Sequence, residues 1–335
     1  MQSPCIRVPR KQGENIRQKL LKEGILRTDL KIKQNKDFIY FPINKNIKWK
    51  EYPLKKGEFK EYVKKSFQDI AQESIPPNQI PRSFDIIGDI GIIRPSDDQR
   101  RYSEKIGKAL LKAHTNLNVI LLDEGVQKDY RLRQVTWVAG EKRTETVLKE
   151  YGMKLWIDIA QVYYSPRLSS ERYRIACQIK KRSIIIDMFA GVAPFSILIA
   201  KIANPKKVYA FDINPQAVYY AKKNIIENKV ADKIALFTGD AKDILPELNI
   251  KADHIIMNLP HQAHTFFADA LPYAKIIHYY TILKKTEIES HIKKLRNDAK
   301  KNGYHIRACD IRIVGSYSPA KDRVGIDLEV RKDIS

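Results

Sequence analysis

The sequence predicts an α/β protein, a Rossmann-like doubly wound sheet preceded by two smaller α+β domains. Three observations carry this reading. Between residues 182 and 260, four short apolar runs (SIIID, KVYAFD, KIALFT and ADHIIM) alternate with helical stretches, the pattern of parallel strands joined by helical crossovers. Each run ends at or near a polar residue, in turn Asp187, Asp212, Asp240 and Asn258, and the carboxyl ends of such strands are where doubly wound sheets bind their ligands. Upstream, the proline-punctuated stretch IPPNQIP (75–81) separates a basic, aromatic-rich N-terminal region from a segment with different periodicity.

Taken in order, residues 1–65 form a small basic α/β domain. Ile16, Leu20 and Leu21 give residues 13–24 helical spacing, and KDFIYFP (36–42) reads as a strand. Residues 66–81 are expected to be a linker. A middle α+β domain over 82–168 opens with FDIIGDIGIIRP, two short strands about a Gly-Asp turn. A helix over 99–114, the strand VILLDE and a hairpin over 143–158 turning at Tyr151-Gly152 complete it. Pro166 prevents further strand, and Ser169 or Ser170 can cap a helix over 171–180. The third domain, 169–335, holds the main sheet. Beyond Pro260 it continues as a helix near 266–271, the strand KIIHYYTI, a helix over 287–301 and a terminal antiparallel hairpin, HIRACDIRIV with GIDLEVR.

The 335 residues carry a formal charge of +22, which points to a polyanionic partner. Residues 1–65 hold 18 Lys/Arg against 7 Asp/Glu, half of that excess. Phe38, Tyr40, Phe41, Trp49, Tyr52, Phe59 and Tyr62 are interleaved with the cations. Rings that stack on bases beside cations that take phosphates favour RNA over a membrane surface. Cys5, Cys177 and Cys309 are isolated, so neither a metal site nor a disulfide framework is expected. The first residues lack a secretory apolar region, and the longest apolar stretch, 184–200, is interrupted by Asp187, Gly191 and Pro194. A cytoplasmic protein is expected, and nothing in the sequence requires more than a monomer.

The turn after the first strand selects the ligand. A dinucleotide enzyme would show G-x-G-x-x-G and a triphosphate enzyme a P-loop. Here Gly191-Val192-Ala193-Pro194 offers one glycine and no Lys-Ser/Thr, which disfavours NAD and nucleotide triphosphates. Asp212 follows at the spacing of the acid that holds a ribose diol, and Asp240 can accept from an adenine amino group. A nucleoside without phosphates, S-adenosylmethionine (SAM), fits best. Asp187, Phe189, Gly191, Ala193, Ile213, Ala241, Asn258, Leu259 and Pro260 fill out the expected pocket. The plainer alternative is that the acids only cap loops and helices. Asn258-Leu259-Pro260 resembles the Asn/Asp-Pro-Pro-aromatic motif of methyltransferases that act on planar nitrogens, where the amide holds the acceptor in line with the methyl. It can equally be an Asn-x-Pro turn.

Together, VPRKQGENIRQKLLKEGIL, YRLR with AGEKRTET, YYSPRLSSER, DMFAGVAPFS, FDINP, GDA and NLP resemble the archaeal-type tRNA (guanine-37 N1) methyltransferase family over nearly the whole length. The resemblance implies a class I SAM-dependent methyltransferase acting on tRNA. Guanine N1 is protonated at neutral pH, so methyl transfer needs a base, and charge building on O6 needs a cation. The family's general base falls on Glu171 and its O6-stabilising arginine on Arg131, with Arg133 able to exchange roles. Asn258 orients the acceptor, Arg172 meets the SAM carboxylate, and Tyr163, Arg167 and His261 lie on the substrate side. Plain readings stand beside these. Arg167 and Glu171 can form an exposed helical ion pair, Arg131 a phosphate contact, Tyr163 packing, and Arg172 and His261 a solvated surface. One departure is Ala193, where the family has a second glycine. The rival readings are an aminocarboxypropyl transferase of the wybutosine pathway, additional methylation of carbon 7 of 4-demethylwyosine, and a non-catalytic RNA-binding protein with a vestigial SAM fold.

Overall fold

The computed structural model describes the chain except residues 45–51, 62–64, 127–131 and 334–335. Trp49, Tyr62 and Arg131 therefore lie outside the described residues. The chain divides into two compact units, Met1–Glu73 and Ser74–Ser335. The stretch expected as a linker spans that division and carries structure of its own. Ser66 and Asp69 form a reciprocal capping box on the helix Phe67–Ala71, and Pro77–Gln79 makes a 3-10 turn.

In the first unit, β1 (Gln2–Pro9), β2 (Lys33–Gln34), β3 (Phe38–Pro42) and β4 (Leu54–Glu58) form a sheet in the order β2-β3-β1-β4. β1 is antiparallel to both β3 and β4. This inner strand escapes the sequence reading because Pro4 and Pro9 argue against a sheet interior. The helix Gly13–Lys22 contributes Leu20 to a core with Ile6, Val8, Phe41 and Ile43.

The second unit holds three sheets. β5 (Asp85–Ile87), β6 (Ile90–Ile93), β7 (Val119–Val126) and β8 (Arg133–Gly140) lie in sequence order. The helix expected over 99–114 is broken in two, Asp97–Arg100 and Ser103–Ala113. β9 (Glu145–Glu150) and β10 (Met153–Asp158) form the expected hairpin, with Tyr151 and Gly152 at φ of 45° and 74°, the left-handed pair that a two-residue hairpin turn requires.

The largest sheet is built from β11 (Ile184–Asp187), β12 (Lys207–Asp212), β13 (Ile234–Thr238), β14 (Ala252–Met257), β15 (Ala274–Leu283), β16 (Tyr304–Ser318) and β17 (Lys321–Lys332). Its order is β13-β12-β11-β14-β15-β17-β16. The first five strands are parallel, and the terminal hairpin closes the edge antiparallel to β15. Strand order reverses between β11 and β14, which makes their carboxyl ends the topological switch point. Apolar clusters cover both faces of the sheet, with Ile185 in one and Ile186 in the other. Among the described residues, no helix is long and apolar enough to cross a membrane.

Candidate active site

At the switch point, Asp187 ends β11 and is 1% exposed. Its Oδ2 accepts from Ser196 Oγ at 2.7 Å, while its Oδ1 is buried with no hydrogen-bond partner. Burial, reinforced by the nearby charge of Asp212, pushes this carboxyl up to about 7 against the Ser196 bond. Asp212, at the end of β12, accepts from Gly191 N at 2.6 Å and Asn214 N at 2.9 Å, and burial raises it despite both amides. Neither carboxylate takes part in an ion pair among the described residues. Across the switch point, Asn258 follows β14, and its Oδ1 is likewise buried without a partner. Buried oxygens in this state are costly unless a ligand satisfies them.

The turn between Asp187 and Asp212 is left-handed twice, at Gly191 (φ 56°) and Ala193 (φ 63°). Ala193 thus adopts the conformation that a second glycine adopts more cheaply, at a cost on the order of 1 kcal/mol. Pro194 then starts the helix Pro194–Ile202. The Tyr163 carbonyl oxygen would lie 3.6 Å from a Cβ placed on Gly191, so the segment before the site helix abuts this turn. Phe189 packs edge-on to Phe266 at 5.0 Å. Ile213 is 54% exposed beside Asp212, an apolar surface at a strand end. Asp240 N-caps the helix Ala241–Leu248 through Lys242 N at 2.9 Å, so the plain capping reading describes at least part of what this acid does. The Leu259 carbonyl accepts from Gln262 N and Ala263 N, turning the chain after Asn258. An open pocket of about 330 Å³ lies beside Pro260, lined by His261, His264, His291, Lys294, Tyr317 and Lys321 among others, and the His261 ring stands edge-on to Tyr317 at 5.4 Å.

Glu171 occupies the first turn of the helix Ser169–Gln178 and is 4% exposed. Its partners do not include Arg167. Oε1 accepts from Tyr280 at 2.7 Å, Arg174 Nη2 at 2.7 Å and Arg312 Nη1 at 3.1 Å, and Oε2 from Arg174 Nε at 2.9 Å. Burial raises this carboxyl, but the donors and the two guanidinium charges outweigh it and leave the group below its ordinary value. The exposed pair with Arg167 is not formed. Arg167 instead meets Asp85 at 3.0 Å, and Arg133 approaches Asp85 at 3.6 Å and Asp123 at 3.4 Å, so the two expected substrate-side arginines converge on one carboxylate.

Arg172 is not in solvent. It is 1% exposed and binds Glu150 at 2.8 and 2.6 Å, the Tyr164 hydroxyl at 2.7 Å and the Ser165 carbonyl at 3.1 Å. With those contacts made, its guanidinium ties the β9–β10 hairpin to the site helix.

Comparison with known proteins gives these residues a context. The chain matches the TRM5/TYW2 methyltransferase domain over residues 146–307, the tRNA methyltransferase 5 N-terminal domain over 5–51 and the TYW2 N-terminal domain over 67–144. It is 35% identical to the tRNA (guanine(37)-N(1))-methyltransferase Trm5b of Pyrococcus abyssi, covering 97% of this chain and 98% of that protein. The chain belongs to the Trm5/TYW2 methyltransferase family. The corresponding protein of Methanocaldococcus jannaschii is 36% identical over 98% of the chain and 99% of its own length. A shorter relative, the tRNA 4-demethylwyosine(37)-methyltransferase Taw21 of Saccharolobus solfataricus, is 36% identical over 74% of the chain and 94% of its own length. Among solved structures, a complex of aTrm5 with tRNALeu superposes with a TM-score of 0.71 at 33% identity, covering 97% of this chain and 99% of that one. The M. jannaschii TYW2 complex with AdoMet superposes at 0.58 and 27% identity, covering 75% and 100%. The family carries the SAM-dependent methyltransferase fold expected from the strand pattern.

Within this Trm5/TYW2 site, sequence reading missed Arg174, Tyr280, Arg312 and Asp327, all of which surround Glu171. Arg174 offered a signal, since it stands three residues from Glu171 on the same helix face. Tyr280 comes from β15 and Arg312 and Asp327 from the terminal hairpin, where no local pattern marks them.

Proposed function

We propose that this protein transfers a methyl group from SAM to N1 of guanosine 37, next to the anticodon of tRNA. What carries the choice is likeness to the two Trm5b relatives from end to end, N-terminal unit included, together with a buried glutamate in the family's base position, held by Tyr280 of β15. The residues present fit SAM. The unpartnered oxygens of Asp187 and Asn258, which end or follow the adjacent strands β11 and β14, and two buried carboxylates without cations favour a positively charged ligand. Asp187 and Asn258 would hold the methionyl end, Asp212 the ribose, and Ile213 with Ala241 the adenine face. When bound, SAM supplies an electrophilic methyl on sulfur.

In this reading Glu171 takes the N1 proton, Arg131 stabilises O6, and Asn258 orients the acceptor edge. Arg133, Arg167 and Tyr163 lie on the RNA side, and the histidine- and lysine-lined pocket at His261 receives backbone phosphate. Domain roles follow the sequence division, with the basic residues 1–65 gripping the tRNA and 82–168 joining 169–335 at the target base. A cytoplasmic monomer suits this work. The Taw21 likeness supports a second activity, methylation of carbon 7 of 4-demethylwyosine, on the same site. Labelled SAM offered with transcripts carrying G or A at position 37, followed by mapping of the product nucleoside, tests the main reading, and equal labelling of both would overturn it. In the same assay, Glu171→Gln should slow transfer by about 100-fold or more with SAM affinity retained.

A further inference from the structure

Behind Glu171 lies a second buried carboxylate, on β17, that the reaction does not use. Asp327 is 5% exposed. Its Oδ2 accepts from Arg312 Nη2 at 2.6 Å and Arg174 Nη1 at 3.0 Å, the same two arginines that hold Glu171. His278 Nδ1 stands 2.7 Å from its Oδ1, and His278 Nε2 stands 3.0 Å from His254 Nδ1. Two cations are thus shared between Glu171 at the site and Asp327, anchored in the sheet by a pair of stacked imidazoles, with the exposed Asp310 as a further partner of Arg312.

The division matters because a base weakens as its proton affinity falls. Glu171 next to two guanidinium groups that had no other partner would be a poor proton acceptor. The geometry points to Asp327 as a positioning residue for the proton-accepting Glu171: by drawing Arg174 and Arg312 toward itself, it limits how far their charge weakens that carboxylate as a base and leaves Oε2 with a single donor. This rests on Glu171 being the base. In the step it serves, the N1–H proton passes to Glu171, the N1 electron pair forms the bond to the methyl carbon, and the methyl–sulfur pair stays on sulfur, leaving a neutral thioether. The charged and titratable groups that face Glu171 are Arg174 on its own helix, Tyr280 on β15 and Arg312 on β16, with Asp327 acting through the arginines. His254, pushed down to about 4 chiefly by burial, is neutral and adds no charge to the cluster.

Single-turnover methyl transfer on a guanosine-37 transcript, measured from about pH 6 to about pH 9.5, tests this. Asp327→Asn should be about tenfold slower near neutrality, with Kd for SAM and tRNA unchanged. The deficit should close toward alkaline pH, where guanine N1 ionises unaided and the base is less needed, and Asp327→Glu should restore the rate. Arg312→Gln removes a cation instead and should move the lower limb of the profile upward; if Asp327→Asn does not fold, this variant decides, and an unmoved limb overturns the proposal. A deficit independent of pH, or one matched by lost SAM binding, marks Asp327 as merely structural. Glu171→Gln run alongside separates the two ideas. A wild-type rate there removes Glu171 as base, whereas a slow Glu171→Gln beside a normal Asp327→Asn removes only the role of Asp327.

Discussion

Glu150→Gln is the perturbation that most directly tests the placement of Arg172. The guanidinium is 1% exposed and the Glu150 side chain 9%, so this is a nearly dry ion pair, bidentate at 2.8 and 2.6 Å. Removing one charge of such a pair costs about 3–5 kcal/mol, because the other is left buried and uncompensated. The Tyr164 hydroxyl and the Ser165 carbonyl still accept from Arg172, which places the expected loss near the lower end, ~3 kcal/mol. In a unit of this size that corresponds to roughly 6–12 °C in Tm. Calorimetry and urea unfolding at neutral pH measure it, with SAM titrated into the folded variant. The linkage has a definite sign. The folded Glu150 carboxyl is raised by burial but brought net below its ordinary value by Arg172, so its contribution is complete above the unfolded value and fades as pH falls through the lower folded one. The advantage of wild type over Glu150→Gln should therefore shrink on acidification. A loss under about 1 kcal/mol at neutral pH, together with a large fall in SAM affinity, would refute the reasoning and return Arg172 to the ligand.

Two further outcomes follow from the strand ends and the basic unit. The Asp187 carboxyl is raised from 3.8 to about 7 by burial, so its stabilising contribution is complete below the unfolded value and is lost as pH rises through the folded one. Asp187→Asn should gain stability relative to wild type between about pH 4 and about pH 7 and bind SAM more weakly, whereas a difference in Tm that stays flat across that window would contradict the assignment. Deleting Met1–Glu73 should lower tRNA affinity about tenfold or more and flatten its salt dependence while SAM binding persists; equal loss of both by calorimetry would contradict the division of labour.

The strands of the main sheet and the turn at Tyr151-Gly152 were legible because their signals are local. Short apolar runs end at polar residues, and a glycine marks the hairpin turn. β1 was not legible, because Pro4 and Pro9 speak against an inner strand. It forms nonetheless because its alternate residues, Ile6 and Val8, reach the core with Phe41. The break at Arg101-Tyr102 within the predicted helix also lay beyond periodicity, since the residues on either side are equally good helix formers.

By itself, the sequence placed Asp187, Asp212 and Asn258 at the strand ends of a sheet and gave the first turn a single glycine, because both signals are written within a few residues of each other. Only the tertiary structure decided what Glu171 and Arg172 touch. Arg172 finds Glu150 22 residues away, Glu171 meets Arg312 across 141, and Arg174 meets Asp327 across 153. A buried charge takes whichever opposite charge the packing brings within about 3 Å, and spacing along the chain carries no record of that choice.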